Sequence, residues 1–208
     1  VTLSSEKQGV SPEQVFGRYQ AEFLDDWERL GIGFDLFTTT HTDNQTEVAQ
    51  DMFLTLYEKG HIYKDTMSQP YCETDRRFLA DRYVEGACPH CGFESARGDQ
   101  CDNCGRTLDP QDLVNMVCKL CGNAPIIRET EHFFLRLSAF EDQLLEWVRK
   151  QDHWRPNVKN FSISYLEGGL HDRAITRDIE WGVPVPLDGY ESKRIYVWFE
   201  AVIGYLSA

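Results

Sequence analysis

Apolar residues recur at steps of three and four from Phe16 onward. Phe16, Tyr19, Phe23, Trp27 and Leu30 line one face of a predicted helix. Ser11-Pro12-Glu13-Gln14 supplies its start, with Ser11 as N-cap, Pro12 at the first helical position and Gln14 placed to close a capping box. Gly31 ends it. Ile32 to Phe37 reads as a short buried strand, and Thr38 to Asn44 as a polar loop that ends in a cap. Asn44 with Glu47 opens a second helix, whose apolar face is Val48, Met52, Phe53, Leu56 and Tyr57 and whose stop is Gly60. His61 to Lys64 predicts another strand. Helix, strand, helix, strand with short connections predicts a parallel α/β layer.

That rhythm breaks at Asp65. From there to Arg128 the chain has few apolar residues and many turn formers, so this stretch depends on bound metal for its fold. Strand-like alternation returns from Ile126 to Leu137. Ser138 to Glu141 predicts a capping box, followed by a helical face of Phe140, Leu144, Leu145 and Val148. Beyond Trp154, Gly168 to Arg173 is a polar loop and Trp181 to Pro186 a proline-stiffened extended segment. Arg194 to Phe199 predicts a buried strand, and Glu200 to Tyr205 opens a helix that reaches Ala208 without a cap. The uncapped helix reads as the mark of a segment of a longer polypeptide. The pattern predicts an α/β domain that carries an insertion.

The insertion holds the chemistry. All seven cysteines lie between Cys72 and Cys121, and four of them read Cys88-Pro-His-Cys91, nine residues, then Cys101-Asp-Asn-Cys104. A glycine follows each pair (Gly92, Gly105). Two Cys-x-x-Cys turns aim four sulfurs at one point, the tetrahedral thiolate set that zinc takes. A disulfide framework is the alternative, with poorer geometry for paired turns, and an iron-thiolate redox centre on the same four cysteines is another. Cys72-x-x-Asp75 and Cys118-x-x-Cys121 flank this set on either side. They suggest a second site closed around the first, with a carboxylate in place of one thiol. His61, His90, His132 and His171 read as loop or surface histidines. No Gly-rich phosphate loop, Gly-x-Ser-x-Gly elbow or His-Glu-x-x-His motif occurs.

Composition narrows the partners. The net charge of −13 over 208 residues argues against a broad phosphate-binding footprint, which draws on Lys and Arg, and tells against the alternative of a free-standing zinc module that binds RNA or protein. There is no long apolar run and no secretory pattern at the start, and thiols of metal-binding type fit a reducing compartment. The expectation is a cytoplasmic protein with no membrane span.

Several runs, in this order, resemble methionyl-tRNA synthetase, a class I aminoacyl-tRNA synthetase. They are Leu56 to Gly60, Phe78 to Gly86 leading into the first Cys-x-x-Cys, Glu131 to Phe134, Ile175 to Asp178 with Trp181-Gly182, and Tyr196 to Tyr205. The resemblance implies a Rossmann-like catalytic domain interrupted by a zinc-knuckle connective insertion. The division would be 1–64 in the first half, 65–128 in the insertion, 129–193 in its return and 194–208 in the second half. It implies activation of methionine with ATP and Mg²⁺, transfer to tRNA, and one or two structural zinc ions. Cys88, Cys91, Cys101 and Cys104 match the inner knuckle. At the outer one, Asp75 takes the place of a cysteine beside Cys72, Cys118 and Cys121.

By the same resemblance Arg177 faces the nucleotide phosphates, and Trp198, Ala201, Val202 and Tyr205 belong to the methionine pocket. Read without the family, Arg177 is a surface residue paired with Asp178, and Trp198 and Tyr205 are core aromatics. Two positions depart from the family: Glu200 stands for the usual Asp, and Val202 where Pro is frequent. The His-Ile-Gly-His and Lys-Met-Ser-Lys-Ser types of signature are absent from these residues, which implies that the chain alone is inactive.

Overall fold

The computed structural model describes residues 1–80, 82–98 and 100–208; Asp81, within the Phe78 to Gly86 run, and Asp99 lie outside the described residues. The chain opens with three helices, α1 (Thr2–Gln8), α2 (Pro12–Arg29) and α3 (Asp43–Glu58). Ser11 and Gln14 form the expected capping box on α2, each side chain bonding the other's backbone N–H. The cap of α3 is Thr42, not Asn44: its hydroxyl accepts from the Gln45 N–H. The threonine oxygen sits two residues earlier, so the helix starts about half a turn sooner than expected.

The organising feature is a long antiparallel ribbon of β1 (Ile62–Cys72) and β6 (Ile126–Leu135), paired from Ile62↔Leu135 to Tyr71↔Ile126. β2 (Arg77–Phe78) pairs with the far end of β1, and β7 (Arg173–Ala174) with the near end of β6, giving the order β2-β1-β6-β7. The parallel layer expected of the first residues is therefore not present. Every strand pairing among the described residues is antiparallel. The apolar run after Gly60 is the start of an eleven-residue strand that passes through Asp65, and its partner arrives from beyond the cysteines.

Ile32 to Phe37 forms no strand. Without a ladder neighbour it stays open, and Phe34 and Phe37 turn edge-on to Trp27 of α2, with ring centroids 5.0 and 5.1 Å away.

At the near end of the ribbon, Ile62 and Phe133 enter a core with Ala49 and Phe53 of α3, Val183, Val185, Ile195, and Ile203 of the last helix, α6 (Val197–Ser207). Phe133 is fully buried, edge-on to Phe53 at 5.2 Å and to Tyr57 at 5.7 Å. A two-stranded sheet of β8 (Thr176–Arg177) and β9 (Arg194–Ile195) lies beside it. The buried strand expected through Phe199 is thus only two residues long. Tyr196 is extended and donates its N–H to the Ile175 carbonyl, and α6 starts at the next residue. Two further helices pack together, α4 (Glu141–Arg149) and α5 (Pro156–Glu167). Ser138 does not cap α4: a 3-10 turn intervenes, and its hydroxyl donates to Asp172 Oδ1 at 2.8 Å. α5, like α1, is not foreseen by periodicity, because Phe161 and Tyr165 point outward.

At the far end, β3 (Val84–Ala87), β4 (Ala96–Arg97) and β5 (Val114–Cys118) make a small sheet in the order β4-β3-β5. Gly86 is required there: a Cβ would meet the Val114 carbonyl oxygen at 2.8 Å. Cys72, Cys88, Cys101 and Cys118 form the tip core with Leu79, Tyr83, Val84, Ala96, Leu108 and Leu113. No helix among the described residues is long and apolar enough to cross a membrane.

Truncating Phe133 to Ala removes the ring that joins α3 to the ribbon. The expected cost is about 3–5 kcal/mol, read as a lower urea midpoint at unchanged slope.

Candidate functional site

The four inner sulfurs converge. Cys88 Sγ lies 3.9 Å from Cys104 Sγ, and Cys91 Sγ 3.7 Å from Cys101 Sγ. Tetrahedral thiolates about 2.3 Å from zinc stand about 3.8 Å apart, so this set fits the ion. Convergence follows from local backbone: the Cys88 N–H donates to the Phe93 carbonyl, the Cys101 N–H to Arg106, and Gly92 and Gly105 turn back at φ 72°. Disulfide pairing is not formed; all seven thiols are free.

The outer residues also meet. Asp75 Oδ2 accepts from the Cys72 and Cys118 thiols, both at 3.1 Å, and Cys72 Sγ is 3.5 Å from Cys121 Sγ. Within each of the two groups the ligand atoms lie within 4.8 Å of one another, so each can hold a metal ion.

Their acidities describe what such crowding costs without a cation. The Asn103 amide and the Phe93 N–H hold the Cys91 thiol down at about 6. The Arg106 N–H favours the Cys104 thiolate too, but burial and the three neighbouring thiols push that group up to about 11. Burial, with Asp75 and Cys72 alongside, pushes Cys118 up to about 12. A divalent ion seated among such sulfurs would favour their thiolate forms.

A second polar constellation sits at the near end of the ribbon. Asp178 Oδ1 accepts from Lys193 Nζ at 2.6 Å, and its Oδ2 accepts from the Thr130 hydroxyl at 2.8 Å and lies 3.2 Å from His132 Nε2. His132 is therefore no surface histidine. It is 2% exposed, since the ribbon is covered on both faces there. Thr176 Oγ1 accepts the Phe133 N–H and lies 2.9 Å from His132 Nδ1, so its hydroxyl hydrogen serves Nδ1 and the Nε2 hydrogen serves Asp178. Burial lowers the His132 pKa against the pull of Asp178, and the ring is neutral. Lys193 and Thr130 were not legible as site residues; the Glu131-His-Phe-Phe134 run was the one signal available.

Asp178 is thus engaged by Lys193 and His132. The neighbouring Arg177 guanidinium lies over the Tyr196 ring, 3.8 Å from its centroid, and donates to the carbonyls of Ala174 and Thr176. Tyr196 is the N-cap of α6, so Arg177 and Trp198 flank the start of one helix. Trp198, Ala201, Val202 and Tyr205 follow on successive turns of its outer face. Trp198 is 67% and Tyr205 88% exposed within this chain, and neither joins the core around Phe133. Glu200 is turned inward: its carboxylate accepts from Gln45 Nε2 at 2.9 Å, tying α6 to α3, and burial raises its pKa. A cavity of about 350 Å³ opens near Asp178, with Glu6, Arg76, Arg77 and Tyr83 among its walls; Arg177 and the α6 residues are not.

Residues 1–208 match the family described as tRNA synthetases class I (M). The methionine–tRNA ligases of Thermomicrobium roseum and Dehalococcoides mccartyi are each 60% identical over 208 residues, which is 100% of this chain and 36% and 38% of theirs. That of Thermoplasma volcanium is 56% identical over 207 residues, again 38% of its length. Among solved structures, Mycobacterium tuberculosis methionyl-tRNA synthetase in complex with methionyl-adenylate superposes with a TM-score of 0.68 at 26% identity. The superposition covers 100% of this chain and 36% of that one. The apo form of that enzyme gives 0.59 at the same identity, over 94% and 35%. The chain spans a little over a third of the length of the relatives it matches.

Asp178 provides a pH test. Burial alone would raise its pKa, but hydrogen bonds from His132 and Lys193 outweigh that and lower it to about 2. A depressed folded value stabilises above the unfolded pKa, near 3.9, and the contribution disappears as pH falls towards 2; it is worth on the order of 2 kcal/mol. Asp178→Asn is expected to lose that amount at neutral pH and to flatten the acid limb of a stability-against-pH curve.

Proposed function

The chain belongs to the class I tRNA synthetases of the (M) family, and on that premise we propose that it serves a protein that activates methionine with ATP and loads it onto tRNA. The observation that carries this reading is the 60% identity, along the whole chain, to relatives named methionine–tRNA ligase. In this reading residues 1–64 and 194–208 contribute to the two halves of the catalytic domain. Residues 65–128 are the connective insertion, and 129–193 return from it. The protein works in the cytoplasm.

The reaction is attack of the methionine carboxylate on the α-phosphorus of ATP, with pyrophosphate leaving, followed by transfer to the tRNA terminal ribose. Magnesium ions arriving with ATP supply charge neutralisation for the phosphates. Arg177 supplies a planar fork that grips phosphate oxygens at two points. Its position over the Tyr196 ring, at the start of the helix that carries Trp198, supports this role. Asp178, clamped by Lys193 and His132, holds the strand on which Arg177 sits.

Trp198, Ala201, Val202 and Tyr205 form the wall against the methionine side chain, where a ring edge beside sulfur contributes about 0.3–1.5 kcal/mol beyond burial. Their placement at steps of three and four along one face of α6 supports this reading. Cys88, Cys91, Cys101 and Cys104 hold a structural zinc, whose four protein ligands leave no open position for water or substrate. Cys72, Asp75, Cys118 and Cys121 hold a second.

Full-length protein is expected to catalyse methionine-dependent pyrophosphate exchange, and residues 1–208 alone to catalyse none. Exchange with isoleucine or valine in place of methionine would assign the protein to a sister enzyme. Trp198→Ala in the full-length protein is expected to raise the KM for methionine about tenfold at unchanged melting temperature. A fall in melting temperature of matching size would make the residue structural.

A further inference from the structure

Four turns face the two metal clusters, and they repeat one backbone template. In three of them the first cysteine donates its N–H to the carbonyl five residues on: Cys88 to Phe93, Cys101 to Arg106, Cys118 to Asn123. The residue four positions on returns its N–H to that cysteine's carbonyl. It is a glycine each time, Gly92, Gly105 and Gly122, at φ 72°, 72° and 76°. The fourth turn keeps the same register, since Cys72 faces Arg77, five residues on, across the β1–β2 pair. Its fourth position is Arg76, a non-glycine residue at φ 52°.

This turn therefore lacks both the second thiol and the glycine of the other three, and still adopts their left-handed conformation. A side chain in that region is strained, and it persists where the surroundings impose it. What surrounds it is the ligand set. The Asp75 N–H donates to Cys72 Sγ at 3.3 Å, and Asp75 Oδ2 reaches both Cys72 and Cys118. The carboxylate occupies the position the missing sulfur would take.

We propose that the outer three-thiolate, one-carboxylate site is the exchangeable one of the two zinc sites, and that its ion governs attachment of the cysteine-rich tip to the ribbon. The proposal rests on the zinc reading of both clusters given above. A hard carboxylate oxygen is a poorer match for zinc than thiolate. Arg76 adds to this turn a left-handed strain that the three glycine turns do not carry. Position supplies the consequence. Cys72 closes β1 and Cys118 to Cys121 lies just before β6, so the outer ligands join the two strands where the chain enters and leaves the tip. The inner four lie beyond them, within the tip. Losing the outer ion loosens the joint, and losing the inner one dissolves the tip.

The test is zinc release from the full-length protein to a chromophoric chelator, with zinc per chain counted by elemental analysis. Two ions are expected, one for each cluster. They should leave in two phases whose rates differ by roughly tenfold or more, the scale on which ligand environment alters zinc affinity. Asp75→Ala should abolish the fast phase and leave one ion. Asp75→Cys, which restores a thiolate and keeps the fold within reach, should slow the fast phase towards the other, and adding Arg76→Gly should slow it further. Cobalt substitution gives an independent readout, since Asp75→Cys should shift the ligand-field bands of one ion towards those of a four-sulfur site. A slow phase with no fast phase in the unaltered protein overturns this proposal and leaves the inner zinc standing. So does an unchanged fast phase in both Asp75 variants. Absence of both phases sinks the zinc reading itself.

Discussion

Ten facing residue pairs between β1 and β6 hold this structure together, because the ribbon they form is rooted in a different core at each end. Its near end buries Ile62, His132 and Phe133 against α3, α6 and the β8–β9 pair. Its far end buries Gln69, Pro70 and Cys72, and Cys72 joins the core of the cysteine-rich tip. Between them, Lys64, Asp65, Thr66, Arg128 and Glu129 are exposed. An isolated two-stranded ribbon is marginal in water, so this one depends on both anchors.

The two anchors are unlike in kind. The near one is an ordinary apolar core with aromatic edges in contact. In the far one, four of the ten buried members are cysteines, and Leu79, Tyr83, Val84, Ala96, Leu108 and Leu113 are too few to hold a subdomain by burial alone. Thiols pushed to about 11 and about 12 at Cys104 and Cys118 express the same fact electrostatically. Each cysteine group there could hold a metal ion, and at a site of that kind metal binding and folding are linked.

On the near side the costly element is buried charge. Lys193 and Asp178 are 10% and 17% exposed, so each would be a buried, unpaired charge without the other, and Thr130 and His132 fill their remaining hydrogen-bonding capacity. Such a cluster sets geometry more than it adds stability. It holds β8 and β9 in register beside the start of α6, and so sets the relative position of Arg177 and Trp198, residues 21 apart in sequence.

Much of this was legible one residue at a time. The capping box on α2, the apolar face of α3, the strand character of β6 and the cysteine spacing are local signals, written within a few residues of where they act. The zinc-type turns are the clearest case, since Cys-x-x-Cys-Gly specifies its own backbone hydrogen bonds. What pairs with what was not legible. Nothing within Ile32 to Phe37 says that no strand comes alongside it, and nothing in His61 to Lys64 says that its partner lies beyond all seven cysteines and runs antiparallel. Nor do two-residue periodicities reveal that the ribbon is covered on both faces where it meets the core, which is why His132 passes for a surface residue. Local conformation depends on side chains within about five positions, whereas strand partnership and burial depend on surfaces brought together from distant segments, and those exist only once the chain has folded.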